Sequence, residues 1–419
     1  MNPVELIKFD NGLTLAHLYN PNVLTVGIMF TAKASLLTEK PEQQGISHFL
    51  EHLSFKGTEK RDAYQTTFEL DKLGAMSNAY TSKQNTSYYA LSLADKADAI
   101  MDILSDMYFN SAIKEKEFNN ERKVVYEEIK ESKDDNADIV YDAVCGLYFK
   151  GTPLGKEILG TRKTLSKLTP EDIKEYRDSH YTANNTIITI CGNVNRQDAI
   201  ELIKKYCLNS FKRENIVYPL PEIKTTSGVV INKKDIKQNY LEIFLPGFDA
   251  MDDRTYTLRV FRTIFGSAYS SRLYQQLREK KALCYSINTG VLAYQNVGAF
   301  NISSSFNADK TEEMLDGILS ESKKFLKKGI TQDELDLVKT QVKTAFAFGQ
   351  ESNSSMMKAV DGEAFYGEAL DYNETVAKYD KITVDDVMDV AKHVLDYSKA
   401  AISLLGKDIQ VDVKKKFGF

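Results

Sequence analysis

The sequence predicts an α+β protein built from two homologous halves, each a mainly antiparallel sheet covered by helices. Three observations predict it. The first is an internal repeat: LTPEDIKEYRDSHYTANNTIITICGNV, starting at Leu168, aligns without a gap with ITVDDVMDVAKHVLDYSKAAISLLGKD, starting at Ile382, at an offset of 214 residues. Each copy reads as a helix with an acidic N-terminal cap, then an apolar strand, then glycine. A second pair of segments, from Ala94 and from Ala308, is similar once short insertions are allowed. The second observation is that strand-like stretches alternate with longer helical ones within each half, the pattern of sheets with helices laid on them. The third is length, because 419 residues exceed one ordinary core and suit two domains of about 200 residues each. Prolines and small polar residues replace periodic patterning in PLPEIKTTSG, Pro219 to Gly228. The expected division is therefore a first domain over 1–215, a linker over 216–228 and a second domain over 229–419.

The elements follow in order along the chain. The N-terminus, MNPVELIKFDNGLTL, enters strand-like alternation directly. It has neither an apolar signal-peptide core nor the Arg/Ser-rich, acid-poor character of a transit peptide, so the chain is expected to stay in the cytoplasm where it is made. Thr25 to Thr31, Ser87 to Leu93 and Thr186 to Cys191 read as strands. No run approaches a membrane span. Cys145, Cys191, Cys207 and Cys284 lack C-x-x-C spacing and are expected to be reduced, partly buried thiols. A net charge of −5 without a basic cluster argues against nucleic acid as the main partner.

The run GISHFLEHLSFKGT carries the chemistry. It contains no proline and interleaves apolar residues, so it is expected to be helical, which places His48 and His52 four residues apart on one face, able to share a metal ion. Glu51, one position before the second histidine, can reach a metal-bound water without ligating the metal. The spelling H-x-x-E-H is the inverted arrangement of a zinc peptidase. Catalytic zinc usually has three protein ligands, and two histidines with one glutamate is one of the usual sets, so a carboxylate is needed from another element. FNNERKVVYEEIK, Phe118 to Lys130, offers one: Val124, Val125 and Ile129 form an apolar stripe at helical spacing, and Glu121 and Glu128 lie two turns apart on one face. The same glutamates, with Glu127 and Glu131, also suit a plain solvated helix face. His17, His180 and His393 are not assigned to the metal.

With these residues the chain resembles the pitrilysin clan of inverted-motif zinc metallopeptidases, in the branch of mitochondrial processing peptidase and its bacterial relatives. The likeness extends through GAMSNAYTSKQNTSYYA, Gly74 to Ala90, and SSRLYQQLREKKALCYSI, Ser270 to Ile287, and covers essentially the whole chain. It implies that Glu128 is the third ligand to one Zn2+ per chain and that Glu121 assists behind the ligands. Glu51 is then the proton carrier, and Asn78, Ala79 and Tyr80 belong to a strand that receives an extended peptide. Arg272 and Tyr285 are the donors contributed by the second half to the substrate and oxyanion. Asp138 and Asp142 fall where processing peptidases attract a basic residue, although in DDNADIVYD they suit two solvated aspartates equally well. The family's two halves enclose a clamshell chamber. Aligned on Glu117 and Glu334, Glu121 and Glu128 correspond to Val338 and Ala345, and no H-x-x-E-H follows residue 52. The second half is therefore expected to lack the metal site. The implied activity is zinc-dependent cleavage of unfolded peptides or precursor leaders by a homodimer. A catalytic subunit that needs a metal-free homologous partner and a non-catalytic structural subunit remain the alternatives.

Overall fold

The computed structural model describes residues 3–418 and contains two sheets in two compact units. The first sheet has six strands: β1 (Glu5–Lys8), β2 (Thr14–Tyr19), β3 (Thr25–Ala32), β4 (Met76–Thr81), β5 (Thr86–Leu93) and β6 (Thr186–Gly192), in the order β1-β2-β6-β3-β5-β4. All neighbours run antiparallel except β2 and β6. The second has five: β7 (Gly228–Lys233), β8 (Gln238–Pro246), β9 (Cys284–Ala293), β10 (Gly298–Asn307) and β11 (Ala401–Gly406), in the order β7-β11-β8-β10-β9. Here too one pair, β7 with β11, is parallel. Leaving β1 aside, β2-β6-β3-β5-β4 and β7-β11-β8-β10-β9 are the same topology, so the repeat seen in the letters is a repeat of fold. The three strands read from the first half fall within a residue of their expected ends.

The compact units cut across a single boundary near residues 216–228. One unit combines 1–130, 157–221 and 346–372; the other combines 131–156, 222–345 and 373–419. Each half thus lends one helix to the unit otherwise formed by the other half. The helix Asn353–Phe365 packs Met356, Met357, Val360 and Ala364 against Ala16, Leu18, Met29 and Ile187 of the first sheet. The helix Asn136–Tyr148 packs on the second sheet, where the rings of Tyr141 and Tyr148 lie 5.7 and 5.8 Å from that of Phe244. Apolar faces of this kind fit any half-covered sheet. Sequence patterning reveals the face without identifying its partner.

A buried charge fixes the first of these helices in register. Asp361, 3% exposed, accepts hydrogen bonds from Thr31 Oγ1 and Thr189 Oγ1 at 2.8 Å each, on neighbouring strands β3 and β6. Burial pushes its carboxyl up from 3.8 to about 6, against the pull of the two hydroxyls and Lys33. The folded state therefore holds a proton between about pH 4 and 6 that the unfolded chain has released. The stability this contributes is full below that window and lost as pH rises through 6. Asp361→Asn cannot titrate, so its stability relative to wild type should rise between pH 4 and 7 by about 3 kcal/mol. Urea unfolding at stepped pH measures this, and a difference independent of pH would refute the buried charge.

Candidate metal centre

The helix Ile46–Ser54 forms as expected, with Ile46, Phe49, Leu50 and Leu53 turned into the core. Its start is capped from a distance. Gly45 takes φ +91°, and a Cβ there would lie 2.7 Å from the carbonyl oxygen of Leu159, so only glycine fits. Glu39 accepts the backbone N–H of Gly45 at 2.8 Å and of Ser47 at 3.0 Å, satisfying amides that no local side chain caps. The entry to the helix that carries His48 and His52 is thereby held from six residues upstream.

The second helix runs Glu115–Asp134, longer at both ends than its central apolar stripe predicts. Its buried line is Phe118, Glu121, Val125 and Ile129, whereas Val124 is 51% exposed. This corrects the expected stripe: one residue rotates the side chain by about 100°, so Val124 and Val125 cannot share a face. The rings of Phe49 and Phe118 stand 4.9 Å apart and dock the two helices. That contact brings the acidic face over the histidines.

His48, His52 and Glu128 converge, with ligand atoms all within 4.8 Å of one another. Nε2 of His48 and Nε2 of His52 lie 3.6 and 3.4 Å from the same atom, Glu128 Oε2. That oxygen is buried and has no hydrogen-bond partner among the described residues. Two imidazole nitrogens within 3.6 Å of one carboxylate oxygen that no hydrogen bond occupies fit the donor set of catalytic zinc, two histidines and a glutamate. Behind them, Glu121 Oε1 lies 2.8 Å from Nδ1 of His52, while His48 Nδ1 has no partner among the described residues. Burial, then the neighbouring His52, pushes His48 down to about 4. Burial also opposes charge on His52, but the Glu121 and Glu128 carboxylates win and push it up to about 9.

Glu51 lies one residue before His52, and its Oε2 accepts from Thr81 Oγ1 at 2.6 Å. Burial raises its carboxyl above the usual range. Thr81 ends β4, the outer strand of the first sheet, bonded to β5 alone. Asn78, Ala79 and Tyr80 therefore sit on an edge strand, although the Ala79 N–H is already given to Asn78 Oδ1 at 2.8 Å. Neither Thr81 nor Glu39 is singled out by the sequence. Thr81 lies 30 residues from Glu51, and only the strand register brings them together.

The remaining predicted residues belong to the other unit. Arg272 is ion-paired with Glu334 at 2.7 Å. Tyr285 stands 76% exposed on β9, the outer strand of the second sheet. Asp138 is exposed in the first turn of Asn136–Tyr148 and accepts from Ser132 Oγ at 3.2 Å; Asp142 lies one turn later, half-buried. At the positions corresponding to Glu121 and Glu128 the second half has Val338 and Ala345, on the helix Gln332–Glu351. Among the described residues, no helix is long and apolar enough to cross a membrane, and the four cysteines are buried thiols.

Two family descriptions match the chain in succession. "Insulinase (Peptidase family M16)" matches residues 16–162, and "Peptidase M16 inactive domain" matches 167–342. The uncharacterized zinc protease YmxG of Bacillus subtilis (strain 168) is 32% identical over 400 residues, 95% of this chain and 97% of its own. An uncharacterized zinc protease of Rickettsia felis is 33% identical over 392 residues, 93% and 94% of the two chains. In fold, a protease from Helicobacter pylori superimposes with a TM-score of 0.92 at 23% identity, covering 96% of this chain and 99% of that one.

Proposed function

The chain belongs to peptidase family M16, and from that premise we propose that it is a zinc-dependent endopeptidase acting on unfolded peptides or precursor leader segments. The observation that carries this reading is the approach of two histidine Nε2 atoms to one buried, unpartnered oxygen of Glu128. His48, His52 and Glu128 would hold one Zn2+ per chain. Bound there, zinc would lower the pKa of a coordinated water to about 7 and polarise the scissile carbonyl.

The rest of the chemistry falls to side chains. Glu51 takes the proton of the attacking water and hands it to the leaving amine. Thr81 orients the Glu51 carboxylate through its 2.6 Å bond. Because Thr81 also terminates β4, an extended peptide added along that edge would lead to the same carboxylate. Edge addition requires a substrate with free backbone groups, which selects unfolded segments. Arg272 and Tyr285 supply donors to the substrate backbone and the oxyanion. For Arg272 this means leaving Glu334 or sharing it. Asp138 and Asp142 give a preference for basic residues near the cut. The assembly is a homodimer, since the zinc motif and the Arg/Tyr motif occur in one polypeptide.

Purified without any second polypeptide, the chain should contain one zinc, sediment as a dimer and cut an unstructured peptide library. A chelator should abolish cleavage and added zinc restore it. Cleavage only after a metal-free homologue is added would replace the homodimer by the heterodimer. A zinc-loaded chain inert on every peptide would leave a binding subunit instead.

A further inference from the structure

Glu121 has both carboxylate oxygens engaged, and only one engagement concerns the metal centre. Its Oε1 lies 2.8 Å from His52 Nδ1 and its Oε2 lies 2.9 Å from Lys56 Nζ. Lys56 follows His52 by four residues, just past the end of the motif helix, where its N–H still bonds the Leu53 carbonyl at 3.0 Å. The histidine and the lysine therefore emerge on one side and grip the same carboxylate from its two ends. The Glu121 side chain is 7% exposed, and that of Lys56 38%.

We infer that Lys56 is a positioning residue for zinc, acting through Glu121 on the imidazole of His52; this rests on the zinc reading above. A carboxylate accepting from Nδ1–H keeps the proton on that nitrogen and leaves the Nε2 lone pair for a metal. With a single partner, the terminal torsion of a glutamate is broad and the carboxylate can swing. The ammonium on Oε2 removes that freedom and compensates a buried negative charge. His48 has no equivalent support, because its Nδ1 is buried without a partner among the described residues. Orientation of the ligand pair thus depends on the His52 side. Among the described residues, Lys56 bonds neither the candidate ligands nor β4, so its influence should appear in metal affinity before anything else.

The alternative is a stabilising ion pair at a half-exposed position, which would typically contribute little and would not reach the metal. Zinc affinity separates the two. Lys56→Met keeps the apolar stem and removes the charge, Lys56→Arg restores the charge, and both are made in the wild-type and Glu121→Gln backgrounds. Affinity is read by competition with a chromophoric zinc chelator, and the melting temperature of the metal-free chain is read alongside. K56M should weaken zinc binding about tenfold or more, in the range for residues supporting a ligand. K56R should recover most of that loss, and in the E121Q background K56M should add almost nothing. Zinc affinity within twofold of wild type in K56M would overturn the inference, whether or not the melting temperature falls. An equal loss in the E121Q background would overturn it too, since the effect would not pass through Glu121. Should K56M fail to fold, Lys56→Gln carries the same comparison. Failure of the zinc reading is distinguishable, because wild type and His52→Ala would then bind zinc alike.

Discussion

Glutamine in place of Glu51 should leave a folded, zinc-loaded protein that turns over peptides roughly 10²- to 10⁴-fold more slowly, the usual contribution of a positioned proton carrier. The substitution keeps shape and volume. The amide oxygen it introduces can still accept from Thr81, whose hydroxyl bonds Glu51 Oε2 at 2.6 Å in the wild type. The candidate ligands are other residues, so metal content should not change. What disappears is the ability to take and return a proton. Burial already holds the Glu51 carboxyl above the usual range, which brings its proton affinity closer to working pH and suits it to both halves of a transfer. The loss should therefore appear in kcat and kcat/KM together, with KM little changed. Zinc content of the variant and steady-state cleavage of one fluorogenic peptide measure this. Wild-type turnover by a zinc-loaded Glu51→Gln chain would end the assignment.

Much of the site is legible in the letters because its parts are local. Four-residue spacing is enough to put His48 and His52 on one helical face, and seven-residue spacing does the same for Glu121 and Glu128. The docking of those two helices depends on Phe49 against Phe118, which sequence offers only as two more apolar residues. Lys56 was within reach of the same helical reasoning, being four residues past His52. Thr81 was not, since its partner depends on the end of an edge strand. The repeat was legible because cap, strand and glycine recur in one order. The exchange of helices between the units was not legible. Met356, Met357 and Val360 could cover either sheet, and what selects the first is the meeting of Asp361 with Thr31 and Thr189, three polar residues scattered over 330 positions.

The same repeat explains where the metal residues ended. Both halves keep the five-strand order and a long helix in the corresponding place, Glu115–Asp134 and Gln332–Glu351. Only the first carries carboxylates on its inner face. Val338 is buried at the position of Glu121. The fold tolerates either solution, so folding alone does not require the carboxylates of the first half, and chemistry is the expected reason for them.

Glu128 provides the sharpest test of that distinction. Its Oε2 is buried and lies 3.6 and 3.4 Å from two histidine nitrogens. In the metal-free chain His52, itself pushed up to about 9, holds the Glu128 carboxyl below its usual range, so the charge is partly compensated by a proton that a metal would displace. Glu128→Gln removes the charge and one ligand together. The metal-free variant should be only slightly less stable than the metal-free wild type, since it loses the pairing of the carboxylate with His52 and nothing else the fold requires. Added zinc should separate them. With free zinc about a thousandfold above its Kd, wild type gains about 4 kcal/mol by mass action, while the variant gains almost nothing, and peptide cleavage falls to background. Thermal unfolding with and without zinc, run on both proteins, reads stability and binding in one experiment. Equal zinc stabilisation of the two would remove Glu128 from the ligand set. A metal-free variant that is markedly less stable would show that the carboxylate serves the fold.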